Sequence, residues 1–412
     1  MTLPPTGRML PVHVDPMREA NAQRDRLVTP AFVVLAVAEL AYFLASGMAI
    51  PLTPRFATGP LGADALGSGI AYGAFGVTAL LLRPFAGRLS DRYGRRPFLI
   101  GGAVLCSVAF AAHAVAPTLG VLVVLRLVLG VAEAFFFVAG FAMLADLAPP
   151  RRIGEALSYN SLALYLGVAF GPAAGEALLD IGGFRLAWLG AAALAAVATI
   201  LALVLPERHD APRAGQPLPP LLHRGAIGPS MALFVGVAGM AAFFASLSLY
   251  VPRVGLGGAG PVLLVFGLVV VGCRIAFARL PDRLPPYVLG TAALVGIGAG
   301  LLVMSVVATA SGLFAGAALA AAGVAFITPA MFRAVVERAS LSERGAALGT
   351  TSAFIDLGFA SPMLFGLVAA AGGPAAAFAA AAGLALAGAA GTARAAFADR
   401  RPMQPAVADP DQ

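Results

Sequence analysis

The stretch Gly87-Arg88-Leu89-Ser90-Asp91-Arg92-Tyr93-Gly94-Arg95-Arg96 packs five charged side chains into ten residues. It separates two apolar runs, 65–86 and 98–116, in a chain where charge is scarce. Only 11% of the 412 residues are charged, 60% belong to the AVILMFWYC set, and the mean hydropathy is +0.90. An ordinary globular domain carries about 25% charged residues. The composition therefore excludes a cytosolic enzyme, a disordered linker protein and a nucleic-acid binder, the formal charge of +7 notwithstanding. Cys106 and Cys273 are the only cysteines and both sit in apolar runs, which excludes a secreted disulfide scaffold.

Outward from that stretch, apolar runs alternate with short charged or Pro/Gly-rich breaks. They predict helices at 31–51, 65–86, 98–116, 119–147, 156–179, 184–205, 227–251, 260–278, 287–308, 311–335, 345–369 and 374–398. A membrane helix needs about 20 apolar residues, so twelve occupy about 240 of the chain. The expected organisation is a tail at 1–29, a six-helix half at 30–205, a central loop at 206–226, a second six-helix half at 227–398 and a tail at 399–412. The tail at 1–29 is polar and basic, without a cleavage site after the next apolar run, and Met17 is an alternative start.

The basic residues set the orientation, and every one of them is arginine. Only Arg55, Arg185 and Arg253 fall in the odd-numbered loops, and Arg126 lies inside a span. The remaining arginines lie on the side of the two tails, which places both termini in the cytosol. The basic balance belongs to a membrane face.

The chain also repeats itself at an offset of 191 residues. Arg83, Arg88, Asp91, Arg92 and Asp146 recur as Arg274, Arg279, Asp282, Arg283 and Glu337. Gly167, Leu166 and Gly175 recur as Gly358, Leu357 and Gly366. Two parallel six-helix halves account for this most simply.

The opening stretch resembles the loop signature between the second and third helices of the major facilitator superfamily, with Ser90 where alanine is usual. Ala278-Arg279-Leu280-Pro281-Asp282-Arg283 resembles its weaker second copy. Arg126 and Gly130 match the family's R-x-x-x-G element. Gly167-Val168-Ala169-Phe170-Gly171-Pro172-Ala173-Ala174-Gly175-Glu176 resembles the fifth-helix signature of its exporters, with Glu176 in place of the last glycine. The resemblance implies an all-α integral membrane fold of twelve helices in two pseudo-symmetric halves. It also implies that Gly87, Asp91, Arg92, Gly94, Arg95, Asp146, Asp282 and Arg283 form a latch holding the halves in the outward-facing state. The alternative for those residues is simple anchoring at the membrane face.

Ionisable residues inside a bilayer are costly and usually functional. Glu39 lies about 13 Å into the first span, near the midplane. Glu133 and Arg126 lie on one face of the fourth, about 10 Å apart along its axis. The first and fourth helices line the cavity in the family resembled, so Glu39 is expected to approach Arg126 or Glu133. A carboxylate in an apolar cavity can take and release a proton, which makes Glu39 the first and Glu133 the second candidate for proton coupling. A buried ion network holding the two helices together is the rival reading. Asp356 is the only acid deep in the second half and is expected to meet a partner across the seam, with proton coupling in the cavity as the alternative. Glu176 reads as a solvated interfacial carboxylate, Trp188 as an interfacial anchor, His113 as a capping or interfacial histidine, and Cys106 and Cys273 as small apolar residues.

Gly167, Gly171 and Gly175 present a smooth ridge for close helix packing, with Pro172 inviting a kink. That face is expected to let the halves rock against each other. The second half offers Ser246, Ser248, Tyr250, Met304 and Phe326 as cavity candidates. No phosphate loop, Cys/His metal spacing or nucleophile elbow occurs, so no catalytic residue, metal or cofactor is expected. The function expected is a secondary active transporter, a proton-driven exporter of small amphipathic molecules, with a symporter or a non-transporting sensor as alternatives. A neutral or cationic substrate suits Glu39 and Glu133 set against Arg126. The expected setting is the cell's inner membrane, with the proton gradient as energy source, no nucleic-acid partner and a monomeric state.

Overall fold

In the computed structural model, residues 27–149, 152–207, 223–340 and 343–399 are described. The tails, apart from residues 27–29 and 399, and most of the central loop lie outside them. The described residues are helical, with no strand. Pro30–Thr58 forms α1, Ala65–Tyr93 α2, Arg95–His113 α3 and Leu119–Leu147 α4. The stretch Ile153–Leu203 breaks at Gly182 and Gly183, where Gly183 takes φ 71°, giving α5 (153–181) and α6 (184–203). Ile227–Tyr250 is α7, Gly260–Ala276 α8, Pro286–Val306 α9 and Ala310–Glu337 α10. Arg344–Ala360 and Pro362–Gly372, joined at Ser361, make α11, and Pro374–Asp399 is α12. Twelve helical passes result among the described residues, as the apolar runs predict, with α8 the shortest at 17 residues.

The helix starts follow from side-chain caps. Thr29, Asp64, Thr118 and Thr309 each accept from the backbone N–H three residues on, at 2.8–3.3 Å. The break in α11 has a chemical cause: Pro362 has no N–H to offer the Gly358 carbonyl, and the Ser361 hydroxyl donates to that carbonyl instead at 2.6 Å.

Two predicted boundaries move. α1 continues through Pro51 and Pro54 to Thr58, and α2 runs on to Tyr93 through most of the charged stretch. What read as a loop is the last turns of α2, a one-residue hinge and the start of α3. The hinge is Gly94 at φ 97°, a value that L side chains avoid.

Each half buries its own apolar core. Leu35, Tyr42, Phe110, Phe136 and Trp188 anchor the first, and Phe243, Phe266, Leu301, Met331 and Phe378 the second. Ile50, Tyr72 and Tyr165 of the first half pack into the second core, which marks the seam. The halves meet along α2 with α11, α5 with α8, and α1 with α7. Because odd and even helices run in opposite directions, one end of the bundle carries the termini, here called the terminal side, and the other is the far side.

The far-side seam is built on small residues. A Cβ on Gly73 would sit 2.8 Å from the Ala360 carbonyl oxygen, and one on Gly76 2.6 Å from the Ala360 nitrogen. Gly69 lies equally close to Gly366. These glycines, spaced by four and three on α2, give the close backbone approach between halves. The Gly167, Gly171 and Gly175 ridge does not. Positions for their Cβ atoms fall on Phe43, Leu44 and Met48 of α1, inside the same half. The expectation that this ridge is the rocking surface is therefore corrected: it is a fixed α1–α5 joint.

Candidate functional site

The centre of the bundle holds a cluster of opposite charges drawn from both halves. Arg83 of α2 reaches across the seam to Asp356 of α11, with Nε–Oδ2 and Nη2–Oδ1 both at 2.7 Å. The two side chains are 11% and 2% exposed, so the pair is shielded from water. Nη2 donates the hydrogen bond of the pair, and the Nε–Oδ2 approach adds close charge contact. The seam partner expected for Asp356 is thus Arg83. The guanidinium also lies 4.5 Å above the Phe137 ring, which fixes its direction.

Glu133 joins the cluster from α4. Its carboxylate lies within electrostatic reach of Tyr42 of α1, Arg83 and Arg126. Tyr42 is positioned by stacking on Phe136, with ring centroids 3.9 Å apart and planes at 5°. The Phe135-Phe136-Phe137 run therefore divides its work: Phe136 holds Tyr42, Phe137 floors Arg83, and Phe135 packs edge-on to Phe98.

Arg126 lies toward the far side and is buried. Its Nε and Nη2 donate to the Ala71 and Tyr72 carbonyls of α2 at 3.2 and 3.1 Å, and it lies over the Phe75 ring at 4.8 Å. Gly130 one turn on faces Phe75 and Thr78. The R-x-x-x-G element thus knits α4 to α2 within the first half.

Glu39 does not reach Arg126. Its carboxylate oxygen lies 2.8 Å from where a Cβ on Gly140 would be. That level is seven residues from Glu133 on α4, about 10 Å, and fourteen from Arg126, about 21 Å. The depth read from the sequence placed Glu39 at the midplane, but α1 is longer at its far end than expected, so Glu39 falls in the terminal-side third.

The far side carries a feature the sequence reading missed. Glu176 is 8% exposed and accepts from the Ala259 and Gly260 amides at 2.7 and 2.6 Å. It thereby caps the N-terminus of α8 in the opposite half, where the free N–H groups favour a negative charge. Arg55 Nη1 meets the same Oε1 that accepts from Ala259, at 3.3 Å. A solvated interfacial carboxylate is excluded. The signal available was the chain itself: an acid replacing the last glycine of the fifth-helix motif.

Removing the Glu176 charge is expected to loosen the far-side seam. In a Cys106→Ala, Cys273→Ala background, Ser248→Cys sits beside the Pro51 carbonyl, which the native hydroxyl faces at 3.5 Å. Its labelling by an impermeant maleimide is expected to rise about tenfold when Glu176→Leu is added, the worth of a charge-assisted cap. Unchanged labelling contradicts the seal.

The first-half residues of the expected latch are bonded to one another. Arg95 pairs with Asp91 and, at 3.4 Å, with Asp146, and it donates to Ser90 at 3.2 Å. Arg96 bonds the Leu203 carbonyl, Arg92 lies over the Tyr93 ring, and Gly87 faces Val138. These bonds stay within the first half, tying α2, α3, α4 and α6 together. Asp282 and Arg283 are exposed on the one-turn helix Leu280–Arg283.

Other expectations are corrected by burial. Trp188 is fully buried against Phe56, Phe110 and His113 rather than at an interface. His113 is buried too, its Nδ1 2.6 Å from the Ala109 carbonyl. Met304 and Tyr250 belong to the second core, while Ser246 and Ser248 lie buried on α7 and Phe326 packs on Phe277.

With this geometry in view, the comparisons are informative. The Major Facilitator Superfamily profile matches residues 35–314. The chain belongs to the major facilitator superfamily. An uncharacterized MFS-type transporter of Salmonella typhimurium is 30% identical over 333 residues, covering 78% of this chain and 85% of that one. Multidrug resistance protein 1 of Bacillus subtilis is 31% identical over 196 residues, about half of each chain (47% and 48%). Among solved structures, a POT family transporter in complex with a thioalcohol-conjugated peptide superposes with a TM-score of 0.75 at 13% identity, covering 89% of this chain and 96% of that one. The chain is therefore a multi-pass membrane transporter with the superfamily fold.

Proposed function

We propose that this transporter is a proton-coupled exporter of small amphipathic molecules that works by alternating access, with the terminal side in the cytosol of the cell that carries it in its inner membrane. One observation carries the coupling: Asp356 is held across the seam by Arg83, and Glu133 lies within electrostatic reach of the same guanidinium. Two carboxylates compete for one cation that both halves need. A proton on Asp356 cancels the cross-seam attraction and frees Arg83 for Glu133, so protonation and the relative position of the halves are linked. Glu39, one level nearer the terminal side, is the release group on the cytosolic path.

The arginines concentrated on the terminal side support the orientation. The fifth-helix glycine–proline element, and the relative whose name records multidrug resistance, support export. The Glu176 contact ties the halves together on the far side, which favours the terminal side as the route to the central cluster. The test uses inside-out vesicles with a respiration-driven pH gradient reported by a fluorescent amine. A compound that collapses the gradient only in vesicles carrying the protein supports antiport. A preloaded compound that leaves the lumen together with protons would make the chain an importer and overturn the export reading.

A further inference from the structure

The internal repeat makes the two seams comparable. Arg83 and Arg274 are equivalent positions, and so are Tyr165 and Asp356, both at the offset of 191. On the α2–α11 seam Arg83 meets Asp356. On the α5–α8 seam Arg274 meets Tyr165, donating from Nη2 to the hydroxyl at 3.3 Å and lying 4.4 Å from the ring centroid. One seam is a neutral pair of opposite charges; the other holds a guanidinium without a carboxylate. Among the described residues no acid lies within 4 Å of Arg274, and its Nε is buried without an acceptor. Glu176, the acid on the same α5–α8 seam, is committed to the α8 amides and Arg55.

We infer that Arg274, seated on Tyr165, is the subsite for one carboxylate of the transported molecule. The inference rests on the transport reading above and deepens it. A guanidinium has five N–H donors in a rigid fork. Stacking on Tyr165 uses its face and a single donor, so its edge remains for a bidentate carboxylate. Arg274 is half-buried, low enough in dielectric to bind an anion firmly and open enough to admit one. A bound carboxylate makes the second seam the chemical match of the first, one guanidinium against one carboxylate on each side. The sequence-based preference for a neutral or cationic substrate weighed Glu39 and Glu133 against Arg126 alone. At the two seams themselves one acid, Asp356, faces two arginines, Arg83 and Arg274, and that local balance favours an anion.

The test compares three probes that share one ring system: 2-naphthoate, 2-naphthamide and 2-naphthylmethylammonium. Each is titrated against the full-length protein in detergent, with affinity read from thermal stabilisation. The wild type is expected to bind 2-naphthoate more tightly than the other two. Arg274→Gln is expected to lose tenfold to a hundredfold in naphthoate affinity, with its unliganded melting temperature in the wild-type range. Arg274→Lys keeps the charge without the fork and is expected to fall between, which preserves the test if the glutamine variant folds poorly. Tyr165→Phe keeps the ring and is expected to cost less. Equal naphthoate affinity in Arg274→Gln, preference for the ammonium, or no naphthoate binding by the wild type overturns the assignment. Equilibrium binding needs no proton gradient, so this result stands apart from the coupling reading. Gradient collapse by the ammonium alone would sustain export and sink the anion subsite.

Discussion

Asp356→Asn is expected to destabilise the folded protein by about 3–5 kcal/mol and to uncouple transport, because it strands Arg83 in the seam. Both side chains of the pair are nearly inaccessible to water, and removing one member of a buried ion pair leaves the other uncompensated. The cost falls on conformations that hold the seam closed, so the balance between conformations moves by the same amount. Each 1.4 kcal/mol is a tenfold shift, and about 3 kcal/mol exceeds a hundredfold change in their ratio. Arg83→Gln is expected to behave alike. The double variant Asp356→Asn, Arg83→Gln is expected to recover most of the stability without recovering proton coupling, since no charge is then left unpaired. Thermal melting of the three variants in detergent checks the first part. Stability losses that simply add in the double variant would show that the pair is not a unit.

The second large effect separates two kinds of glycine. Gly171→Val would place a Cβ 2.7 Å from the Leu44 carbonyl oxygen and 2.8 Å from the Gly47 Cα. Both obstacles are backbone inside one half, so no side-chain rotation relieves them, and overpacking of this kind costs 1–3 kcal/mol or more, by order of magnitude. Gly171→Val is expected to reduce the yield of folded protein severely. Gly76→Val meets the Ala360 nitrogen and the Asp356 carbonyl across the seam, at 2.6 and 3.0 Å. There the halves can move apart, so this variant is expected to fold and to favour the state open on the far side. Size-exclusion yield reads the first, and maleimide labelling of Ser248→Cys in the cysteine-free background reads the second. Gly101→Ala, which meets nothing within 4 Å, is the control expected to leave both unchanged. Similar yields for Gly171→Val and Gly101→Ala would refute the fixed joint.

Much of the architecture is legible in the chain because membrane solvation imposes it. Twelve apolar runs and the Gly182-Gly183 break follow from hydropathy and backbone chemistry. Contacts between distant helices are less legible, since helical spacing gives a face without naming its neighbour. Gly167 and Gly171 form the close-packing ridge their spacing predicts, yet the ridge meets α1 rather than the other half. Glu39 reads as central because the extension of α1 through Pro51 and Pro54 is hidden by the prolines. Glu176 looks solvated because its partner is a helix N-terminus, a charge carried by no side chain. Arg83 and Arg274 were visible as repeat partners, and so were Tyr165 and Asp356. Their pairing becomes evident only when α2 meets α11 and α5 meets α8.

The coupling role of the Arg83, Asp356 and Glu133 cluster is the central claim, and one pair of fluxes in reconstituted vesicles tests it. Substrate counterflow, which exchanges internal for external compound without net proton movement, is measured beside transport driven by an imposed pH gradient. Asp356→Asn is expected to retain measurable counterflow while losing gradient-driven accumulation. Gradient-driven accumulation that survives undiminished in Asp356→Asn would contradict the account.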